Sequence, residues 1–524
     1  MKYLSARLLV LSVFPVLFGY YLWQYKNAQG PLYLGYDPDP SYVYLFNSVN
    51  LAYGKAPGHV DHPGTTVQYL GTISSSITYL FTGNKPTLAE DVISNPEKYL
   101  KVFCTSIIFL NVLCSFFLGL VATKHTSNIS VGIYFQMIPL MFLPVGNQNV
   151  VKISAEALVW VFTSVTTLLC LIYYVKEKEF ANSTKFIFSF AVVAVLGFIT
   201  KITLLPLGLL PLFFISRNQG RIYYVIVSIL LFILIALPAL FSYEYLFTWI
   251  KGLFINSGHY GAGESNFIDT AKFRLNINMM YESYKFIFVL IALILLLPLL
   301  ALWRKKIFNM KIIKCFAAFV MVNVLYIFLI SKHYDPRYMI PMLTFDLGFA
   351  AIFFLWLAET FKGRYLVVIV SFLAFLRVGF SINDYDKEIA MRQNYEKNYT
   401  ATYKKLQEYK NDIILYYYPG SSIEYGLIFG SHLCREMTPF YYHYLDKQFP
   451  NVIHYNSNSF WCDIWRKQTP IKDILAQNKR VILYGGGELP QKINIKNSDN
   501  DVKEYSTKLL FDNSSGIYIR QLIP

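Results

Sequence analysis

About eleven apolar runs recur along the first 380 residues, most of them near the ~20 residues that carry a helix across a bilayer. A chain built this way must satisfy its backbone within helices and turn its side chains to lipid or to one another. The runs are Leu8–Trp23, Tyr99–Val121, Ile129–Val145, Ala155–Val175, Phe186–Ile199, Ile202–Ile215, Ile222–Phe241, Tyr284–Trp303, Ile312–Ile330, Met339–Leu357 and Tyr365–Phe380. Composition agrees: 55% of the 524 residues are hydrophobic and 15% are charged, against about 25% charged in soluble domains. The expected fold class is an α-helical polytopic membrane protein. The first run follows Lys2 and Arg7 as a signal sequence would, but no small-residue cleavage site follows it, so it reads as an anchor.

The net charge of +15 raises nucleic acid as a partner, and the placement of the charge argues against it. With the fifth and sixth runs taken as two spans, Lys124, Lys176, Lys178, Lys185, Arg217, Arg221, Arg304, Lys305, Lys306, Lys311, Lys314, Lys362 and Arg364 all fall on the side of the N-terminus. The short opposite loops hold little beyond Lys152, Lys201, Lys332 and Arg337. This is a positive-inside pattern. It predicts a cytoplasmic N-terminus in the plasma (inner) membrane, with a first outer loop over about 24–98 and the C-terminal region outside. Fusing the two short runs would put the Arg304 cluster outside. Thr65–Phe81 is apolar but interrupted by Gln68 and Ser74-Ser75-Ser76, and reads as an interfacial or re-entrant helix.

From Ser381 charged residues and Asn return. Residues 381–524 read as a soluble α/β domain on the outer face, following a membrane domain over 1–380. Ile413–Tyr418, Val481–Tyr484 and Ile517–Ile519 look like short strands. Gly485-Gly486-Gly487 lacks dinucleotide-binding spacing and reads as a turn. The six cysteines show no zinc or redox spacing; Cys434 and Cys462 are the pair that an oxidising compartment would allow to join.

The first outer loop carries the densest chemistry. Asp37-Pro38-Asp39-Pro40 is followed by Tyr42, by Gly54 and then by Asp61-His62-Pro63-Gly64. Asp39 before Pro, ahead of apolar positions at Leu45, Phe46 and Val49, reads as a helix N-cap with Pro at the first helical position. That role is compatible with a second one. A carboxylate at the membrane surface can take the proton from an attacking hydroxyl, or two can hold a divalent cation, Mg or Mn, against a phosphate.

The order of acid, Tyr, Gly, His-Pro and a closing Phe81-Thr82-Gly83 resembles the first outer loop of C-type membrane glycosyltransferases, in the branch of protein O-mannosyltransferases and aminoarabinose transferases. Ser154-Ala155-Glu156, Gly197-Phe198-Ile199-Thr200-Lys201 and His333-Tyr334-Asp335-Pro336-Arg337 are similar to later stretches of that branch. The resemblance covers roughly 8–380. It implies a polyprenyl-phosphate sugar donor, inversion at the anomeric carbon and a catalytic Asp in the first outer loop. Carried onto this sequence, it makes Asp39 the base and Asp37 its support or a metal partner. Tyr42, Asp61, His62, Glu156, Lys201, His333 and Arg337 become expected substrate contacts, with Lys201 and Arg337 on the lipid phosphate. The sequence departs from the branch at Pro40, where an acid is common, and at Gly64, where a second Pro is common. The expected partners are the donor, membrane lipid and a glycan, lipid or protein acceptor. A transporter or flippase for a lipid-linked saccharide is the alternative. It would show inverted repeats and matching broken spans, which the sequence does not display.

Overall fold

The computed structural model describes residues 2–60, 63–180, 182–256, 265–303, 309–361, 363, 365–416, 419–455, 461–463, 471–477, 479–486, 492–498, 501–512 and 516–523. Among these, eight helices are long and apolar enough to cross a membrane. A ninth candidate is a bent pair, Thr270–Ser283 with Lys285–Leu297, which turns through 93°. The chain is therefore a helical polytopic membrane protein; among the described residues eight of the eleven expected runs form such single helices. The difference lies in three runs. The eighth forms the helix Lys285–Trp303, whose start is the second arm of the bent pair. The fifth is a 17-residue helix, Thr184–Thr200. The sixth breaks into short turns, Leu205–Gly208 and Pro211–Phe214, because Pro206 and Pro211 lack the N–H a continuous helix needs.

Two compact units emerge, neither continuous in sequence. The first comprises Met1–Trp23, Val60–Val67 and Ile107–Asp386; the second comprises Gln24–His59, Gln68–Ser106 and Lys387–Pro524. No element ends at residue 380. One helix runs from Tyr365 to Leu406 over 42 residues, and no Pro or Gly interrupts 381–410. The shift in composition there marks a change of surroundings for a helix that carries on.

Within the first unit, helices approach closely where a side chain is missing. A Cβ on Gly348 of the helix Ile340–Phe361 would lie 2.5 Å from Thr167 Oγ1 on Val159–Phe180. A Cβ on Gly132 would lie 2.5 Å from the Gly119 carbonyl. Small residues allow such approach in lipid, where packing has to do what water exclusion does elsewhere. The helix Asn218–Leu240 instead turns Ile222, Ile226, Ile229, Ile233 and Leu237 outward, a face suited to acyl chains and costly in water.

The second unit ends in a seven-stranded sheet. Its strands are β1 (Ile413–Tyr416), β2 (Val452–Tyr455), β3 (Trp461–Asp463), β4 (Val481–Gly486), β5 (Lys492–Ser498), β6 (Asp501–Phe511) and β7 (Ile517–Ile523). Their order is β3-β2-β1-β4-β7-β6-β5. β1 is parallel to β2 and β4, and the remaining pairs are antiparallel. β1 and β4 are buried apolar runs, as central parallel strands require. Ile413, Leu415, Val481, Leu483 and Ile474 form their core. Gly485 and Gly486, expected in a turn, extend β4 against β7; Gly487 lies outside the described residues. Cys434 is a free, buried thiol that donates to the Gly430 carbonyl.

In the same unit Asp91 is fully buried and accepts from Lys98 Nζ at 2.7 Å, from Tyr99 and from the Asn84 N–H at 3.0 Å. Burial alone would raise its pKa; those three donors outweigh burial and hold it below the ordinary carboxylate value. A lowered folded pKa means the contribution is present above the unfolded pKa and is lost as pH falls through the folded one. We expect Asp91→Asn to lower stability by about 2 kcal/mol at neutral pH and to flatten the loss of stability on acidification. Thermal unfolding of both proteins across pH 3–7 checks this.

Candidate functional site

Three charged residues from three separate segments of the first unit meet. Lys201 ends the helix Thr184–Thr200; its N–H donates to the Gly197 carbonyl at 2.9 Å and its extended backbone leads the chain away. Glu156 sits in a short 3-10 turn, Ala155–Leu158, entered through an extended Ser154. Just before it, Ile153 has φ +41°, a left-handed conformation that a β-branched residue rarely adopts. Such strain costs about 1–3 kcal/mol and tends to gather at functional sites. Arg337 lies in the turn Pro336–Met339, which Asp335 caps by accepting from the Arg337 N–H at 3.0 Å.

Lys201 donates to Glu156 Oε1. Arg337 Nε stands 3.8 Å from the same oxygen and donates to Asp335 Oδ2 at 3.0 Å. The Tyr338 ring lies 4.7 Å from Lys201 Nζ and 5.5 Å from Arg337 Cζ, so its π face serves both cations. The Lys201 and Glu156 side chains are each 3% exposed, whereas Arg337 is 28% exposed. The resemblance motifs around residues 156, 201 and 337 thus converge on one cluster.

Lys201 and Tyr338 also line a cavity of about 310 Å³. Its walls are apolar, with Leu205, Pro206, Trp249, Leu253, Leu325 and Leu329 among them. Lys332 and His333 line it too, but they are engaged with backbone. Lys332 Nζ donates to the Phe254 carbonyl at 2.6 Å, and His333 Nε2 is 3.3 Å from the Leu253 carbonyl. They serve the carbonyls left over at the C-terminal end of the helix Tyr243–Ile255. The slot is greasy, with Lys201 in its wall and Arg337 on the far side of the Tyr338 ring.

The acid turn belongs to the second unit. Asp37 is buried and its Oδ2 accepts from Gln29 Nε2 at 2.7 Å. Asp39 is half-buried, with φ −101° and ψ 112° inside the segment Pro38–Ala52. That extended backbone makes a kink in the first turn, so the cap of the segment is Asp37, which makes no side-chain cap hydrogen bond, and not Asp39 as expected. Tyr42, expected at the substrate, is fully buried and donates to Glu97 Oε1 at 2.8 Å; in this structure it packs. The helix is clamped by the C-terminal part of its own unit. Asn47 donates to the Leu433 carbonyl at 3.3 Å and accepts from the Gly58 N–H at 2.6 Å. Asn50 donates to the Cys434 carbonyl at 3.1 Å and accepts from Tyr441 at 2.8 Å. Gly426 and Gly430 of the helix Ile423–His432 lie against the Tyr42 ring and carbonyl. A Cβ on Gly430 would stand 2.8 Å from that carbonyl. Gly430→Val is therefore expected to cost about 1–3 kcal/mol by overpacking, read as a lower unfolding temperature.

Asp61 and His62 lie outside the described residues. Among the described residues no three His, Cys, Asp or Glu side chains gather as a metal site. Asp37 and Asp39 would bring at most two carboxylates to Mg or Mn, and the other oxygen ligands would come from water or a phosphate. One buried acid was missed from the sequence. Asp346, in the middle of the helix Ile340–Phe361, accepts from Asn323 Nδ2 at 2.8 Å. Its signal was available as a lone carboxylate in an apolar span.

No protein-family model matches this chain, and no curated protein matches it. The cation cluster, the cavity and the acid turn carry the functional reading on their own chemistry.

Proposed function

We propose that the protein is an inverting glycosyltransferase that moves a sugar from a polyprenyl-phosphate donor to an acceptor hydroxyl at the outer membrane face. One observation carries this reading: an apolar cavity lined by Lys201, with Arg337 beside it across the Tyr338 ring. In the proposal the isoprenoid chain occupies the cavity and its phosphate pairs with Lys201 and Arg337. Arg presents a fork that matches phosphate oxygens, and Lys adds a point charge.

Asp39 is the proposed base. The acceptor oxygen forms its bond to the anomeric carbon as the carbon–oxygen bond to the phosphate breaks. The acceptor proton passes to the Asp39 carboxylate, and the electron pair of the broken bond leaves with the polyprenyl phosphate. A single displacement of this kind inverts the anomeric centre. Lys201 and Arg337 stabilise the charge that develops on the departing phosphate. Asp37, held by Gln29, braces the turn. The topology proposed for this chemistry is the one read from the charges, with the N-terminus in the cytoplasm and the C-terminal sheet outside the plasma membrane.

The test is sugar transfer by purified protein in detergent, supplied with polyprenyl-phosphate sugars and followed by mass spectrometry. Release of polyprenyl phosphate together with a glycosylated acceptor is expected. A transporter would leave the donor intact, and that outcome would refute the proposal.

A further inference from the structure

The two cations proposed to hold phosphate are already balanced. Glu156 engages Lys201 and stands 3.8 Å from Arg337 Nε, while Asp335 engages Arg337 at 3.0 Å. Among the described residues the carboxylates of Glu156 and Asp335 thus offset the charges of Lys201 and Arg337, while Lys332, on the same cavity, donates to the Phe254 carbonyl. Lys201 and Glu156 are almost completely buried, so this neutralisation is not a loose surface pairing that salt would screen. An anion entering the cavity therefore meets a Lys201 ammonium that Glu156 already engages.

We propose that Glu156 is a built-in stand-in for the ligand's headgroup: it occupies the cation pair at rest, and an anionic phosphate competes with it for Lys201 and Arg337. The inference rests on the lipid-phosphate reading above and adds a residue that sets affinity within that site. Three features favour Glu156 over Asp335 as the competing group. It is the acid that reaches both cations. It has no solvent to relax into when displaced. It also follows the strained Ile153, so the turn carrying it is held in place against a local backbone cost. Asp335 instead caps the turn Pro336–Met339 and orients Arg337. The resting pair keeps Lys201 from being a lone charge in an apolar wall, which would be costly. It also makes release of the spent phosphate easier, because the carboxylate returns as the phosphate leaves.

The experiment measures binding of polyprenyl monophosphate and of inorganic phosphate to the full-length protein in detergent micelles, with neutral polyprenol as the control. Glu156→Gln keeps the shape and removes the competing charge; at an effective dielectric of ~20, a like charge about 5 Å away is worth tenfold or more in affinity. We expect Glu156→Gln to bind both phosphates about tenfold tighter than wild type, with polyprenol affinity unchanged. Because Glu156→Gln leaves Lys201 without its carboxylate, Asp335→Asn serves as a second variant; Asn still caps the turn, and a smaller gain in phosphate affinity is expected. If wild type binds polyprenyl monophosphate and Glu156→Gln binds it equally or less tightly, Glu156 orients the cations and the competition is disproved, while the proposed function stands. A gain that appears equally with polyprenol also disproves it. If neither wild type nor either variant binds polyprenyl monophosphate, the inference and the lipid-phosphate reading fall together.

Discussion

Asp39→Asn is expected to lower sugar transfer by about 10²–10⁴-fold, the range a positioned general base contributes. Folding should persist. Asp39 is half-buried at a kink in the first turn of its segment, and Asn is close to Asp in shape and suits a helix start as well. The variant should therefore elute and unfold like wild type and bind polyprenyl phosphate unchanged, since its charge is assigned to the acceptor. Turnover measured with the purified variant decides the matter, and activity near the wild-type level removes Asp39 from the chemistry. Asp37→Asn should do less, because the group it contacts, the Gln29 amide, can still donate to the remaining carbonyl oxygen.

Lys201→Met should be the most damaging single change to stability. It takes the Lys201 ammonium from Glu156, whose side chain is only 3% exposed, and removing one partner of a buried pair costs about 3–5 kcal/mol. Arg337, at 3.8 Å and partly exposed, offsets part of that. The double variant Lys201→Met with Glu156→Leu removes both charges and should recover most of the lost stability without recovering phosphate binding. Denaturation of the wild type, the single and the double variant measures this. If Lys201→Met unfolds at the wild-type midpoint, the pair does not matter to the fold.

The sequence made the membrane class plain because apolar runs of the right length have few other uses, and β1, β4 and β7 stood out as short apolar runs between polar residues. Other features were hidden for identifiable reasons. Glu156, Lys201 and Arg337 each looked like a charge at the end of an apolar run, and only the resemblance grouped them as substrate contacts; the ion pairs they form with one another depend on how distant helices pack, which no local pattern encodes. The long helix through 381–406 was obscured because its charged residues suggested an end, although no breaker is present. β5 and β6 escaped because Lys492–Ser498 and Asp501–Phe511 are rich in Lys, Asn, Asp and Ser, which weigh against a strand. Asn47 and Asn50 carry no local sign of their partners, yet they bind carbonyls nearly four hundred residues away.

That last pairing bears on how the chain is made. Asn47, Asn50 and Tyr42 are buried against residues 426–441, so the segment leaving the first span cannot complete its hydrogen bonds until those residues have been synthesised. During synthesis it must wait, with only its local hydrogen bonds available, while the later spans are inserted. A message cut short after the last span would yield a polypeptide that inserts normally, exposes this segment to proteases and never matures.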